Sequence, residues 1–174
     1  SGTWESRRLP GSGAGPSPDR MLLGSEGTLG VVTEAWMRVR PRPVHKASRA
    51  VLFDDFRSGA EAVRALAQSR LHPSNCRLLD PLEAQTTGAG DGESAILVLG
   101  FESAFAPVDH AMSVALECAT DHGGRPEPER PAGDDGAAET WRSAFLEAPY
   151  LRDSLICLGV LSDTFETAIT WDRF

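Results

Sequence analysis

Positive charge, cysteine and long apolar runs are all scarce in this chain of 174 residues. Lys and Arg number 17 against 25 Asp and Glu, for a formal net charge of -8 and a pI near 5.0. A protein that grips nucleic acid through its phosphates needs a basic surface to displace counterions, so that function class is disfavoured. No stretch approaches the roughly 20 apolar residues of a membrane span. The opening Ser1-Gly2-Thr3-Trp4-Glu5 has no apolar core of a signal peptide, so none is expected. Three cysteines, Cys76, Cys118 and Cys157, are too few, too far apart and odd in number for a disulfide framework. They suit a reducing compartment, and the expected location is the cytoplasm. What is present is ordinary globular material: 41% hydrophobic and 24% charged residues, enough chain for one domain or for pieces of two.

Glycine and proline divide the chain. The run Arg7 to Pro16 opposes a helix and reads as a loop. Residues 31–40 alternate, with Val31, Thr33, Ala35, Met37 and Val39 on one side, which predicts a half-buried strand. Pro41 and Pro43 end it, and a domain boundary is expected there, dividing 1–43 from 44–174. Beyond it, 47–53 predicts a strand. Ser58 and Glu61 match a capping box, predicting a helix over 58–70. Residues 77–79 and 95–99 predict strands, with a turn over 88–92 between them. Pro107 opens a second helix whose face is Val108, Met112, Ala115, Leu116 and Ala119, closed by Gly123-Gly124. The order strand–helix–strand–strand–helix predicts an α+β fold with a ferredoxin-like antiparallel sheet covered by helices on one face. Residues 123–139 read as a mobile loop on composition. A helix over 139–145 and a long strand over 161–171 follow. The loop-like start and the uncapped end suggest a piece of a longer protein.

One segment concentrates the chemistry. Gly24-Ser25-Glu26-Gly27-Thr28-Leu29-Gly30 spaces three glycines by threes, so its backbone can approach a ligand closely and present N–H groups to phosphate oxygens. It lacks the lysine of a P-loop, breaks the G-x-G-x-x-G order and leads towards a strand, not a helix. On its residues alone it reads equally as a plain tight turn.

The stretch Met21 to Ala35, preceded by Gly15-Pro16-Ser17-Pro18-Asp19, resembles the last flavin-contacting segment of the vanillyl-alcohol-oxidase-type FAD-linked oxidases. That resemblance implies FAD as cofactor, contacted by Glu26, Gly27, Thr28, Leu29, Gly30, Val31 and Val32. It makes 1–43 the C-terminal edge of a PCMH-type FAD-binding domain and 44–174 the first part of a substrate cap. A narrower likeness lies further on. Tyr150-Leu151-Arg152-Asp153, Gly159 to Thr167 and Trp171-Asp172-Arg173 resemble the alkyldihydroxyacetonephosphate synthase family, which exchanges an acyl chain on dihydroxyacetone phosphate for a fatty alcohol through a flavin adduct. The implied substrate-binding residue is Arg152, whose guanidinium can hold a phosphate or carboxylate by two parallel hydrogen bonds. Its other reading is an ion pair with Glu147, Asp153 or Asp163. The resemblance implies an anionic or lipid-like substrate and leaves a homodimer open. It assigns no catalytic residue here, since Tyr150 does not match the family's catalytic tyrosine, and the chain alone is expected to be inactive. A 2-hydroxy-acid dehydrogenase or oxidase of the same superfamily and a non-catalytic cap-like binding module stand as alternatives.

No metal site is expected. His110, Cys118 and His122 share a helix without a converging carboxylate. Ser12 and Ser25 do not fit a hydrolase elbow, and Asp134-Asp135-Gly136 lacks the ligand spacing of a calcium loop.

Overall fold

A computed structural model describes residues 2–6, 15–128, 136–162 and 164–174. The chain divides into two compact units, Ser1–Pro41 and Arg42–Phe174.

In the first unit a short helix, α1 (Pro18–Leu22), begins at a proline, whose missing N–H costs nothing in a first turn. The strand expected over 31–40 is absent; those residues are irregular and exposed, with Val31, Met37 and Val39 all bare to solvent. Alternation marks a face that a neighbour could cover. A strand also needs a ladder partner, and none pairs with this segment among the described residues. Of the predicted loop from Arg7 to Pro16, residues 7–14 lie outside the described residues.

The second unit is built on four antiparallel strands: β1 (His45–Phe53), β2 (Asn75–Leu79), β3 (Ala95–Ser103) and β4 (Arg125–Pro126), in the order β2-β3-β1-β4. With α2 (Phe56–Gln68) after β1 and α4 (Asp109–Asp121) after β3, this is the ferredoxin-like arrangement. In the β1–β3 register Val51 faces Leu97 and Phe53 faces Ala95. These residues, with Leu99 and Phe101, pack against Ala62 and Leu66 of α2 and Met112, Ala115 and Ala119 of α4.

The opposite sheet face is covered too, which corrects the one-face expectation. Ala50, Ile96 and Val98 pack against Ala84, Ala137 and Trp141. Ala84 belongs to α3 (Pro81–Thr86), a helix the pattern reading missed. Ala137 and Trp141 belong to α5 (Ala137–Cys157). Burial on both faces explains why β3 reads as a continuous apolar run from Ala95 to Leu99 and not as an alternation.

Four further boundaries differ from expectation. The cap of α2 is Asp55, not Ser58. Its carboxylate accepts the Ser58 amide at 2.9 Å and the Ser58 hydroxyl at 2.7 Å, bonds that hold its pKa below the ordinary value. Within 123–139, Arg125 and Pro126 form β4 and α5 starts at Ala137, while 129–135 lie outside the described residues. Helix α5 runs through Pro149 instead of stopping at Phe145. A proline there removes one donor, and the Phe145 carbonyl it leaves is on an exposed turn where water can serve it. The long strand over 161–171 is also absent. Leu161 and Phe165 are exposed, and the chain closes on a 3-10 turn, Trp171–Arg173, with Phe174 stacked on Phe56 at 6.2 Å.

Gly124 shows how tightly β4 is drawn in. A Cβ there would sit 2.6 Å from Val51 Cγ1, 2.8 Å from the Ala119 carbonyl oxygen and 2.8 Å from the Phe53 ring. The carbonyl belongs to helix backbone and cannot step aside cheaply. Gly124→Ala is therefore expected to destabilise the protein by about 1–3 kcal/mol, read as a lower midpoint in urea with unchanged slope.

Candidate functional site

The glycine segment in the first unit is a compact turn whose backbone is locally specified. Gly24 and Gly27 have φ of 78° and 86°, and Glu26 joins them in the left-handed region at 49°. The Ser25 amide donates to the Leu22 carbonyl, and the Thr28 amide and hydroxyl both donate to the Ser25 carbonyl, at 2.9 and 2.6 Å. The Thr28 hydroxyl thus serves the turn and is not a spare donor. The amides of Glu26, Gly27, Leu29, Gly30, Val31 and Val32 donate to nothing among the described residues. All six residues are exposed, and Leu29, Val31 and Val32 present apolar side chains beside those donors. Such a strip can offer N–H groups to carbonyl or phosphate oxygens and an apolar edge to a flat ring.

Arg152 lies in the second unit, in the last third of α5 and exposed. The ion pairs considered for it do not form with Glu147 or Asp153; Asp163 lies outside the described residues. Among the described residues no carboxylate is within ion-pair distance of Arg152. Its neighbours Tyr150 and Leu151 are exposed as well, so the guanidinium sits on a partly apolar surface. The arrangement can hold an anion whose other end is apolar.

The Nδ1 of His122 is 2.8 Å from the Cys118 carbonyl oxygen, closing the end of α4, and no group of three metal-ligating side chains converges among the described residues. Burial pushes the thiols of Cys76 and Cys118 up, with the Asp121 charge adding at Cys118, so neither has the thiolate character of a nucleophile. Ser12, Asp134 and Asp135 lie outside the described residues. Among the described residues no helix is long and apolar enough to cross a membrane.

One cluster escaped the sequence reading. The Arg77 guanidinium lies 4.9 Å from the centre of the Trp141 ring and bonds Glu83 at 2.9 Å. Its members come from β2, α3 and α5, and no local spacing signals them.

Residues 42–174 match the family model described as FAD linked oxidases, C-terminal domain. An alkyldihydroxyacetonephosphate synthase of Caenorhabditis elegans is 31% identical over 95% of this chain and 31% of that protein. The synthase of Dictyostelium discoideum is 26% identical over 98% of this chain and 31% of that protein. A mitochondrial D-lactate dehydrogenase (cytochrome) of Arabidopsis thaliana is 28% identical over 65% of this chain and 21% of that protein. A solved alkyldihydroxyacetonephosphate synthase structure superposes with a TM-score of 0.61 at 26% identity, covering 82% of this chain and 31% of that one. The chain thus spans about a third of the length of the curated synthases it matches.

Proposed function

Because the chain belongs to the FAD linked oxidases, whose C-terminal domain its residues 42–174 match, we propose that it forms part of an FAD-dependent enzyme of the alkyldihydroxyacetonephosphate synthase type. One observation carries the reading: the similarity to the synthases runs over nearly the whole chain, whereas that to D-lactate dehydrogenase covers about two thirds of it. FAD is the cofactor of the family. In the proposed assignment, residues 1–43 close the FAD-binding domain and 44–174 begin the substrate cap.

The residues present fit that cofactor. The free amides between Glu26 and Val32 suit flavin or phosphate oxygens, and Leu29, Val31 and Val32 suit an apolar ring edge. When bound, FAD supplies the redox-active ring on which the chemistry depends. The chain's own residues bind and orient: the glycine turn holds the cofactor's flank, and Arg152 holds the anionic end of the substrate. An anionic, lipid-like substrate and a cytoplasmic setting complete the proposal. The free cysteines Cys76, Cys118 and Cys157 are in keeping with that setting.

The likeness to D-lactate dehydrogenase favours a second reading, oxidation of a 2-hydroxy acid, in which Arg152 would hold a carboxylate instead of a phosphate. Full-length protein tested with acyl-dihydroxyacetone phosphate plus a fatty alcohol, and with a panel of hydroxy acids, separates the two. Alkyl exchange without net flavin reduction is the expected result. Turnover of hydroxy acids alone would transfer the assignment to the second reading. A colourless full-length protein that cannot be reconstituted with FAD would leave a cap-like binding module.

A further inference from the structure

Helix α5 is 21 residues long, yet it buries only Ala137 and Trp141. Its hold on the sheet is therefore concentrated in its first two turns. Trp141 packs with Ala50, Ile96 and Val98, and its ring also carries the Arg77 guanidinium at 4.9 Å. Arg77 in turn bonds Glu83 of α3 at 2.9 Å. One arginine on the exposed edge of this contact thus ties a strand, a short helix and the anchored end of α5 together.

Arg152 stands 11 residues beyond Trp141 on the same helix. Eleven residues make about three turns, so the two positions differ by only about 20° around the axis and by about 16 Å along it. Phe145 lies on that stripe too, stacked on Trp141 with ring centres 5.4 Å apart. The helix stays helical through Pro149, so the register of the stripe reaches Arg152. A helix held at one end acts as a lever. A tilt of about 10° at the anchor moves a point about 16 Å away by roughly 3 Å. A two-point hydrogen-bonded anion site tolerates only about 0.5 Å.

We infer that Arg77 is a positioning residue for Arg152: by clamping Trp141 against the sheet and holding Glu83, it sets where the anion-binding guanidinium stands. The inference rests on the reading of Arg152 as the anion anchor. It adds a specificity role to a residue 75 positions away in sequence that need not touch substrate.

The test uses full-length flavoprotein with dihydroxyacetone phosphate as the equilibrium probe. Its Kd is read by calorimetry in Arg77→Gln, Arg152→Ala and the double variant, with the FAD absorbance recorded for each. Arg77→Gln is expected to raise Kd about two- to fivefold with unchanged flavin content. Arg77→Lys, which keeps a cation over the ring, should recover most of that loss. In the Arg152→Ala background Arg77→Gln should add nothing, because the residue it positions is gone. No rise from Arg77→Gln, or equal rises on both backgrounds, would overturn the positioning role and leave Arg152 as the anchor. An Arg152→Ala protein that binds the probe as well as wild type would overturn the anchor, and the positioning role with it.

Discussion

Replacing Arg152 by alanine in the full-length protein is expected to raise KM for an anionic substrate about 10- to 100-fold, with flavin content unchanged. The range follows from what a hydrogen-bonded charge contributes when its partner's charge is otherwise left unpaired. Loss should fall on KM more than on kcat, since a guanidinium that grips a non-reacting phosphate binds ground state and transition state alike. Arg152→Lys should lie between, because an ammonium keeps the charge but not the two-pronged geometry. The effect should also leave FAD bound, since the candidate FAD contacts run from Glu26 to Val32 and Arg152 is not among them. Kinetics indistinguishable from wild type in Arg152→Ala would return the residue to an ordinary surface charge. An equal fall in kcat with KM unmoved would instead place it at the reacting centre.

Much of the sheet was legible because its signals are local. The apolar run from Ala95 to Leu99 could be nothing but a buried strand or helix segment, and its shortness and flanking turn favoured the strand. Helix α4 announced itself by a face at helical spacing, and Gly123 in the left-handed region, at φ 86°, closes it as expected. Helix α3 was equally legible and was missed. Asp80 caps it through the Glu83 amide at 2.8 Å, and Pro81 stands at its first position, a start signal obscured by the short length of the helix.

Long elements failed for another reason. Residues 31–40 and 161–171 both alternate, but alternation records only which side a neighbour could cover. Strand pairing needs that neighbour, and none pairs with either segment among the described residues. Pro149 misled in the opposite direction. A proline usually ends a helix, yet α5 continues because the cost is one lost bond on a solvent-exposed turn, and the Ser154 hydroxyl bonds back to the Tyr150 carbonyl at 3.0 Å just beyond it. At the candidate site, the glycine spacing identified a turn. Only the backbone showed that Thr28 is spent on that turn while the amides from Glu26 to Val32, save that of Thr28, remain available.

Phe53→Ala is expected to be the most damaging single change to the second unit, costing about 3–5 kcal/mol. Phe53 is fully buried at the end of β1, among the largest side chains in the core. Two glycines mark the space its ring needs. A Cβ at Gly59 of α2 would lie 3.4 Å from the ring, and one at Gly124 would lie 2.8 Å from it. The ring therefore fills the space between the start of α2 and the turn after α4, and deleting it leaves a cavity that two helices tied to one sheet cannot close by small shifts. Calorimetric unfolding should show a midpoint lowered by roughly 10–20 °C for a unit of this size. The same geometry predicts coupling. In the Phe53→Ala background, Gly124→Ala should destabilise less than it does in the wild type, because one of its three close contacts has gone. It should not become harmless, since the Ala119 carbonyl oxygen stays 2.8 Å from the new methyl position. Strict additivity of the two changes would mean that the strain at Gly124 resides in Val51 and the Ala119 carbonyl and that the ring sets no limit on the approach of β4.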